Sequence, residues 1–202
     1  MADSEEEQKE SVSNVVEMRN ADDWSKKGIN AEASGNYAFA IDAFSKSIEL
    51  NPNEAFAYYN RGIVYDCLGN YEHAIEDFNK VIGMQPHDVD AYYNRGRTYA
   101  NLGQHKNAIE DFSKVILLDP DYAEAYNNRG VVYDSLGQYN RAIEDYNETI
   151  RLRPDLARTY SNRGGVYFKQ GNNRLGCRDA QTASALGDCE LLEWARAKGF
   201  LI

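Results

Sequence analysis

Residues 57–86 read AYYNRGIVYDCLGNYEHAIEDFNKVIGMQP, residues 91–120 read AYYNRGRTYANLGQHKNAIEDFSKVILLDP, and residues 125–154 read AYNNRGVVYDSLGQYNRAIEDYNETIRLRP. Each segment begins 34 residues after the one before it, and most positions carry the same or a similar residue. Self-similarity at a fixed period is typical of proteins that stack one structural unit many times. Extending the register in both directions predicts five repeats, at residues 21–54, 55–88, 89–122, 123–156 and 157–190.

Each repeat is predicted to form two helices joined by a short turn. A glycine at repeat position 15 can adopt the left-handed conformation that closes the first helix. A proline at position 32 cannot continue the second helix. The glycines are Gly35, Gly69, Gly103, Gly137 and Gly171, and the prolines, which are all four of the chain, are Pro52, Pro86, Pro120 and Pro154.

The small and aromatic residues of the repeat indicate how its two helices pack. Position 8 is glycine in every repeat, as at Gly62, and position 20 is alanine or glycine, as at Ala74. Position 24 is aromatic in the first four repeats, as at Phe78. We expect the small residues to let the two helices approach closely, while the aromatic side chains fill the space above and below.

These residues resemble the signature of the tetratricopeptide repeat, W-x2-L-G-x2-Y…A-x3-F…P. The resemblance extends over about five sixths of the chain. It implies an all-α fold, a right-handed superhelix of helix pairs (an α-α solenoid), with residues 191–202 as a C-terminal capping helix. It also implies a non-catalytic scaffold for protein–protein interaction.

One departure from the signature is systematic, because a basic residue replaces leucine at position 7. These residues are Lys27, Arg61, Arg95, Arg129 and Arg163. We expect the arginine stems to fill the leucine slot while the guanidinium groups meet acidic residues of the second helix. The predicted acidic partners are Asp77, Asp111 and Asp145.

Charge and composition exclude several classes of function. The net charge is −10, and residues 1–23 hold eight of the 32 acidic residues but only two of the 22 basic ones. An acidic chain is repelled by phosphate backbones, which argues against nucleic acid or an anionic membrane as partner.

Residues 1–20 show no periodicity and are predicted to be a disordered acidic tail. The sequence has no stretch of 18 apolar residues, so we expect no membrane span, and its start is not expected to be a secretory signal. Three cysteines, an odd number without CxxC spacing, predict free thiols and a reducing, cytoplasmic location.

No motif indicates catalysis. The sequence contains no phosphate-binding loop, dinucleotide fingerprint or zinc-protease motif. The three histidines fall at different repeat positions, and a metal site needs several convergent ligands. We therefore expect no enzyme activity, no cofactor and no metal.

A polar column at position 6 is the strongest indication of binding. It consists of Asn60, Asn94, Asn128 and Asn162. Asparagine is a mediocre residue within a helix, so its recurrence needs a reason. The resemblance implies that positions 2, 5, 6, 9, 12 and 13 face the concave surface, where amides can donate to and accept from the backbone of an extended peptide. Alternatively, these asparagines cap or bridge neighbouring repeats, or were retained from a common ancestral repeat.

The remaining residues of this predicted surface vary between repeats, as specificity residues can. They are Ile29, Phe56, Tyr59, Ile63, Tyr93, Arg97 and Val131, with Asp66 and Asp90 nearby. An apolar and aromatic patch beside acidic residues predicts a protein or peptide ligand with hydrophobic anchors and basic groups. The alternative function is self-association, a homo-oligomer formed through the repeat ends, where Phe200, Leu201 and Ile202 make an apolar terminus.

One known subclass of the resembled family can be tested directly. Co-chaperone repeats grip a C-terminal carboxylate with two lysines, two asparagines and an arginine. The corresponding residues here are Ser25, Ile29, Asn60, Asp90 and Asn94. Only Asn60 matches, and Asp90 would repel a carboxylate. The sequence therefore argues against that kind of ligand.

Overall fold

The computed structural model describes residues 20–200, which form eleven α-helices and no β-strand. The helices are α1 (Ala21–Ala33), α2 (Tyr37–Leu50), α3 (Ala55–Cys67), α4 (Tyr71–Met84), α5 (Val89–Asn101), α6 (His105–Leu118), α7 (Ala123–Ser135), α8 (Tyr139–Leu152), α9 (Ala157–Lys169), α10 (Asn173–Ala185) and α11 (Glu190–Ala197). Apart from Asn20, the predicted acidic tail lies outside the described residues, as do Leu201 and Ile202.

The turn between the two helices of a repeat is closed by the glycine at position 15. Gly69 has a φ of 75°, which is left-handed and suits a residue without a Cβ. Its backbone N–H donates to the carbonyl of Asp66, and the N–H of Asn70 donates to that of Tyr65. These two bonds satisfy the last carbonyls of α3, so α4 can begin at Tyr71 and return along α3.

The chain divides into two compact units, Met1–Thr98 and Tyr99–Ile202. Unit 1 contains α1 to α4 and most of α5. Unit 2 contains the rest of α5 and α6 to α11.

In each unit, the core forms where an aromatic ring of the second helix lies on the glycine of the first. A Cβ added to Gly28 would lie 2.5 Å from the Phe44 ring, and one added to Gly130 would lie 2.8 Å from Tyr146. Phe44 and Phe78 are fully buried, and Tyr146 is almost so. This corrects the expectation that the rings lie above and below the helix contact, because they occupy the contact itself.

Replacing Gly130 by alanine tests this close contact. The new methyl group would overlap the Tyr146 ring, and overpacking of this kind costs about 1–3 kcal/mol. The better helix propensity of alanine offsets up to about 1 kcal/mol of that cost. We expect the free energy of unfolding, measured with urea, to fall by about 1–2 kcal/mol.

Gly165 provides the matched control in the same unit. It lies inside helix α9, and no atom lies within 4 Å of the place its Cβ would occupy. We expect Gly165→Ala to raise the free energy of unfolding by about 0.5–1 kcal/mol. Equal effects of the two substitutions would contradict the packing described above.

The fifth repeat has a different core. Ala180 stands where the other repeats carry an aromatic residue. The space is filled from α11 instead, since a Cβ on Gly164 would lie 2.7 Å from Leu191. Leu192 of the same helix is buried, but Trp194 remains 42% exposed. Helix α11 therefore covers the last repeat as expected for a cap, although only part of the Trp194 side chain is buried.

Candidate functional site

The arginines of position 7 connect three helices. In unit 1, Arg61 donates from Nε and Nη2 to the two carboxylate oxygens of Asp77, both at 2.8 Å. Its Nη1 donates to the Ser45 hydroxyl, also at 2.8 Å. One side chain of α3 is therefore bonded to α4 in its own repeat and to α2 in the repeat before it.

The same arrangement occurs in unit 2. Arg129 donates to both oxygens of Asp145 and to the Ser113 hydroxyl. Arg163 likewise bonds both oxygens of Asp179. The predicted pairing is confirmed for Asp77 and Asp145. The contact with the preceding repeat was missed, although a small polar residue recurs at position 25 in the first four repeats and could have indicated it.

Burial shifts the pKa of these carboxylates. It raises the pKa of Asp77 and of Asp145 above the ordinary value, against the opposing effect of the bonded guanidinium. The free energy lost by burying the two charges therefore offsets much of the free energy gained from their attraction. We infer that the arginines orient the helices and add little net stability.

In unit 1, Asn94 bridges helices instead of presenting a free amide. Its Nδ2 donates to the Tyr59 hydroxyl at 2.8 Å and to the carbonyl of Asp90 at 2.9 Å. Its Oδ1 accepts from Arg97 at 3.1 Å, and the residue is only 8% exposed. Both amide hydrogens are thus used inside the protein, as the bridging interpretation requires.

Thr98 continues this network and was not found from the sequence. Its side chain is fully buried, and its hydroxyl donates to Asp66 at 2.8 Å. Asp66 also pairs with Arg97 at 3.5 Å. The network joins α3 to α5, and it holds the Tyr59 ring and the Arg97 side chain in place. A threonine one helical turn after an asparagine carries no sequence signal for this role.

The other predicted residues of unit 1 differ in exposure. Phe56 is 48% exposed and Ile29 is 38% exposed, whereas Ile63 and Tyr93 are half-buried. Asn60 is also half-buried, and its Nδ2 donates to the carbonyl of Phe56 on its own helix at 2.8 Å. The asparagines of the column therefore have different surroundings.

In unit 2, the column residues contact other partners. Asn128 accepts from Asn127 at 3.1 Å, and Asn127 accepts from the buried Thr159 hydroxyl at 3.2 Å. Asn162 lines a shallow depression beside α11. Val131 is 40% exposed.

A pocket of about 250 Å³ opens in unit 1 where α3, α4 and the start of α5 meet. Its lining consists of Ala55, Phe56, Tyr59, Val81, Gln85, Asp88 and Asp90. Asp88 accepts from the backbone N–H of Ala91 at 2.8 Å and so caps α5. Burial raises the pKa of the Tyr59 hydroxyl, and the carboxylates of Asp90 and Asp88 raise it further. The pocket therefore combines an apolar floor with an acidic rim.

An aromatic cluster lies at the end of unit 2. The Phe168 ring is stacked on Phe200 at 5.2 Å between centroids and meets Trp194 edge-on at 5.1 Å. Phe200 is thus packed within its own chain while remaining 39% exposed. Self-association through this end stays a prediction.

Within residues 20–200, no helix is both long and apolar enough to cross a membrane. In the same range, histidine, cysteine, aspartate and glutamate side chains nowhere converge in threes.

The family model of the tetratricopeptide repeat matches residues 55–88, 89–122 and 123–156, just over half of the chain. The chain belongs to the tetratricopeptide-repeat family. The three matched ranges coincide with the second, third and fourth repeats of the sequence register. Tetratricopeptide repeats are protein-interaction scaffolds and are generally non-catalytic, so the coarse functional class follows from membership.

Solved structures show the same fold. A MamA protein is 27% identical with a TM-score of 0.78, and the match covers 92% of this tetratricopeptide-repeat chain and 97% of that one. YrrB, described as a TPR protein with an unusual peptide-binding site, is 20% identical with a TM-score of 0.76, covering 93% and 97%. PilF of Pseudomonas aeruginosa is 17% identical with a TM-score of 0.73, covering 85% and 77%. Comparison with curated proteins gives no match. The predicted all-α tetratricopeptide-repeat fold is confirmed.

Proposed function

We propose that this chain binds an extended segment of a partner protein on the inner surface of unit 1. This surface is formed by the first helices of the repeats. It comprises Ile29, Phe56, Tyr59, Asn60, Ile63, Tyr93, Asn94 and Arg97. The observation that carries the proposal is the exposed Phe56 ring beside a Tyr59 ring held in place by Asn94. Exposed aromatic groups on a fixed support are favourable anchors for a partner, since little conformational freedom is lost on binding.

The comparisons support this class of function. YrrB has a described peptide-binding site on the same fold. Because YrrB is less than 25% identical to this chain, the comparison supports only the shared fold. The residues proposed to bind the ligand follow from the contacts within this chain. Here Asn60 offers an amide for the ligand backbone. Asn94 acts by positioning Tyr59 and Arg97, which contact the ligand in its place.

Peptide selection followed by calorimetry tests the proposal. Random twelve-residue peptides displayed on phage are selected on the full chain, and the enriched peptides are titrated against variants. We expect Phe56→Ala to weaken binding about tenfold or more, as for an aromatic anchor at an interface. Leu117 of α6 is the control, because it is 73% exposed and belongs to a second helix.

Two outcomes would contradict the proposal. In one, no peptide is enriched on the immobilised protein relative to a surface that carries no protein. In the other, Phe56→Ala and Leu117→Ala have the same effect on affinity, which would place the bound peptides elsewhere on the protein.

A further inference from the structure

Asp88 and Asp90 bring two negative charges to the pocket of unit 1. Within residues 20–200, neither aspartate takes part in an ion pair. The nearby Arg97 is already bonded to Asn94 at 3.1 Å and to Asp66 at 3.5 Å. The acidic rim is therefore open to a positive charge from outside.

The fourth repeat provides an internal comparison for this pocket. There, Arg153 occupies the position of Gln85, and it pairs with Glu124 at 3.5 Å and with Asp155 at 3.1 Å. Arg158 occupies the position of Asp90 in the same register. The fourth and fifth repeats thus place two arginines where the second and third repeats place Gln85 and Asp90, and Leu156 stands at the position of Asp88.

The walls of the pocket suit the stem of a long basic side chain. Phe56 and the Tyr59 ring lie beside Ala55 and Val81, and together they form the apolar part of the lining. Lysine and arginine bury their methylene stems along apolar surfaces while keeping the charged end near water. A guanidinium or ammonium group over an aromatic face gains further attraction from the ring.

We propose that this pocket holds a lysine or arginine side chain of the partner segment, with the stem on Phe56 and Tyr59 and the charge between Asp88 and Asp90. This inference rests on the proposed function, and it names the partner's chemistry: a segment with a basic residue. An acidic or purely apolar segment would leave both carboxylates uncompensated.

Nuclear magnetic resonance with single amino-acid probes tests the pocket directly. The isotope-labelled full chain is titrated with N-acetyl-arginine amide and with N-acetyl-citrulline amide, which has nearly the same shape but no charge. We expect arginine to shift the backbone amides of Ala55, Phe56 and Asp90 with a dissociation constant on the order of millimolar. Citrulline should bind about fivefold more weakly.

Charge-neutral variants complete the experiment. Asp90→Asn should lower the affinity for the arginine probe about threefold. Asp88→Asn should do the same while preserving the cap, because asparagine caps helices equally well. Glu124→Gln in the fourth repeat removes a charge already paired with Arg153, so we expect no change.

Three outcomes would overturn the inference. They are equal binding of arginine and citrulline, shifts confined to residues outside the pocket, and equal effects of Asp90→Asn and Glu124→Gln. The proposed function fails separately, since it requires Phe56→Ala to weaken selected peptides. Suppose that Phe56→Ala weakens the selected peptides, while Asp90→Asn leaves arginine binding unchanged and citrulline binds as well as arginine. The surface then binds peptides, but the pocket holds no cation.

Discussion

Replacing Asp145 by alanine will lower the free energy of unfolding by about 3 kcal/mol, because the substitution leaves the Arg129 guanidinium without its bidentate partner. The side chains of Asp145 and Arg129 are only 7% and 18% exposed, so water cannot replace the lost carboxylate fully. The Ser113 hydroxyl bonded to the same guanidinium is neutral and cannot balance its charge. Urea denaturation followed by circular dichroism measures the change.

Two further variants separate the charge effect from the loss of a side chain. Glu144 precedes Asp145 in α8 and is exposed, so Glu144→Ala should change the free energy of unfolding by less than about 0.5 kcal/mol. The double variant Arg129→Leu with Asp145→Ala should recover most of the loss, because it removes both charges and restores the leucine typical of position 7. The interpretation is wrong if the double variant is as unstable as Asp145→Ala alone.

Replacing Phe44 by alanine will lower the free energy of unfolding by about 3–5 kcal/mol. The ring is fully buried and packs with Ala31, Ala40 and Val64. It also covers Gly28, which has no side chain to fill the cavity. The helix backbones around the cavity are fixed by their own hydrogen bonds, so the site can collapse only in part. Thermal and urea denaturation both report the loss.

Phe39 is the matched control in the same helix. It is 42% exposed, and its removal opens no internal cavity. We expect Phe39→Ala to cost less than about 1 kcal/mol. Comparable losses for the two phenylalanines would show that the ring on Gly28 is not the main contact between α1 and α2.

The repeating elements of this fold could be predicted because each depends on residues within one period. Gly69 closes α3 through bonds to its own helix, and Arg61 meets Asp77 within a single repeat. Both relations are local, and both recur along the chain. The register of 34 residues therefore predicts where these contacts form, although it does not reveal that the Phe78 ring would lie directly on Gly62.

The candidate site was harder to predict because it depends on contacts between repeats. The four asparagines look equivalent in the sequence. Asn94 and Asn128 each follow a repeat with tyrosine at position 5, whereas Asn60 and Asn162 follow repeats with Ser25 and Asn127 there. The hydrogen bond between Asn94 and Tyr59 exists only after the repeats stack. The pocket likewise requires Phe56 of α3 to meet Gln85 and Asp88 of the loop between α4 and α5. No spacing along one helix indicates such a meeting.

Because Arg61 is bonded to Ser45 as well as to Asp77, neighbouring repeats of unit 1 share a single anchoring group. Local unfolding of the second repeat must break the hydrogen bond from Arg61 to Ser45 of the first repeat. Local unfolding of the first repeat breaks the same bond. Amide protons of α2 and α4 should therefore exchange with solvent at similar rates, as one cooperative block spanning two repeats. A single repeat moved into another protein would consequently lose one partner of the hydrogen bonds that join it to its neighbour.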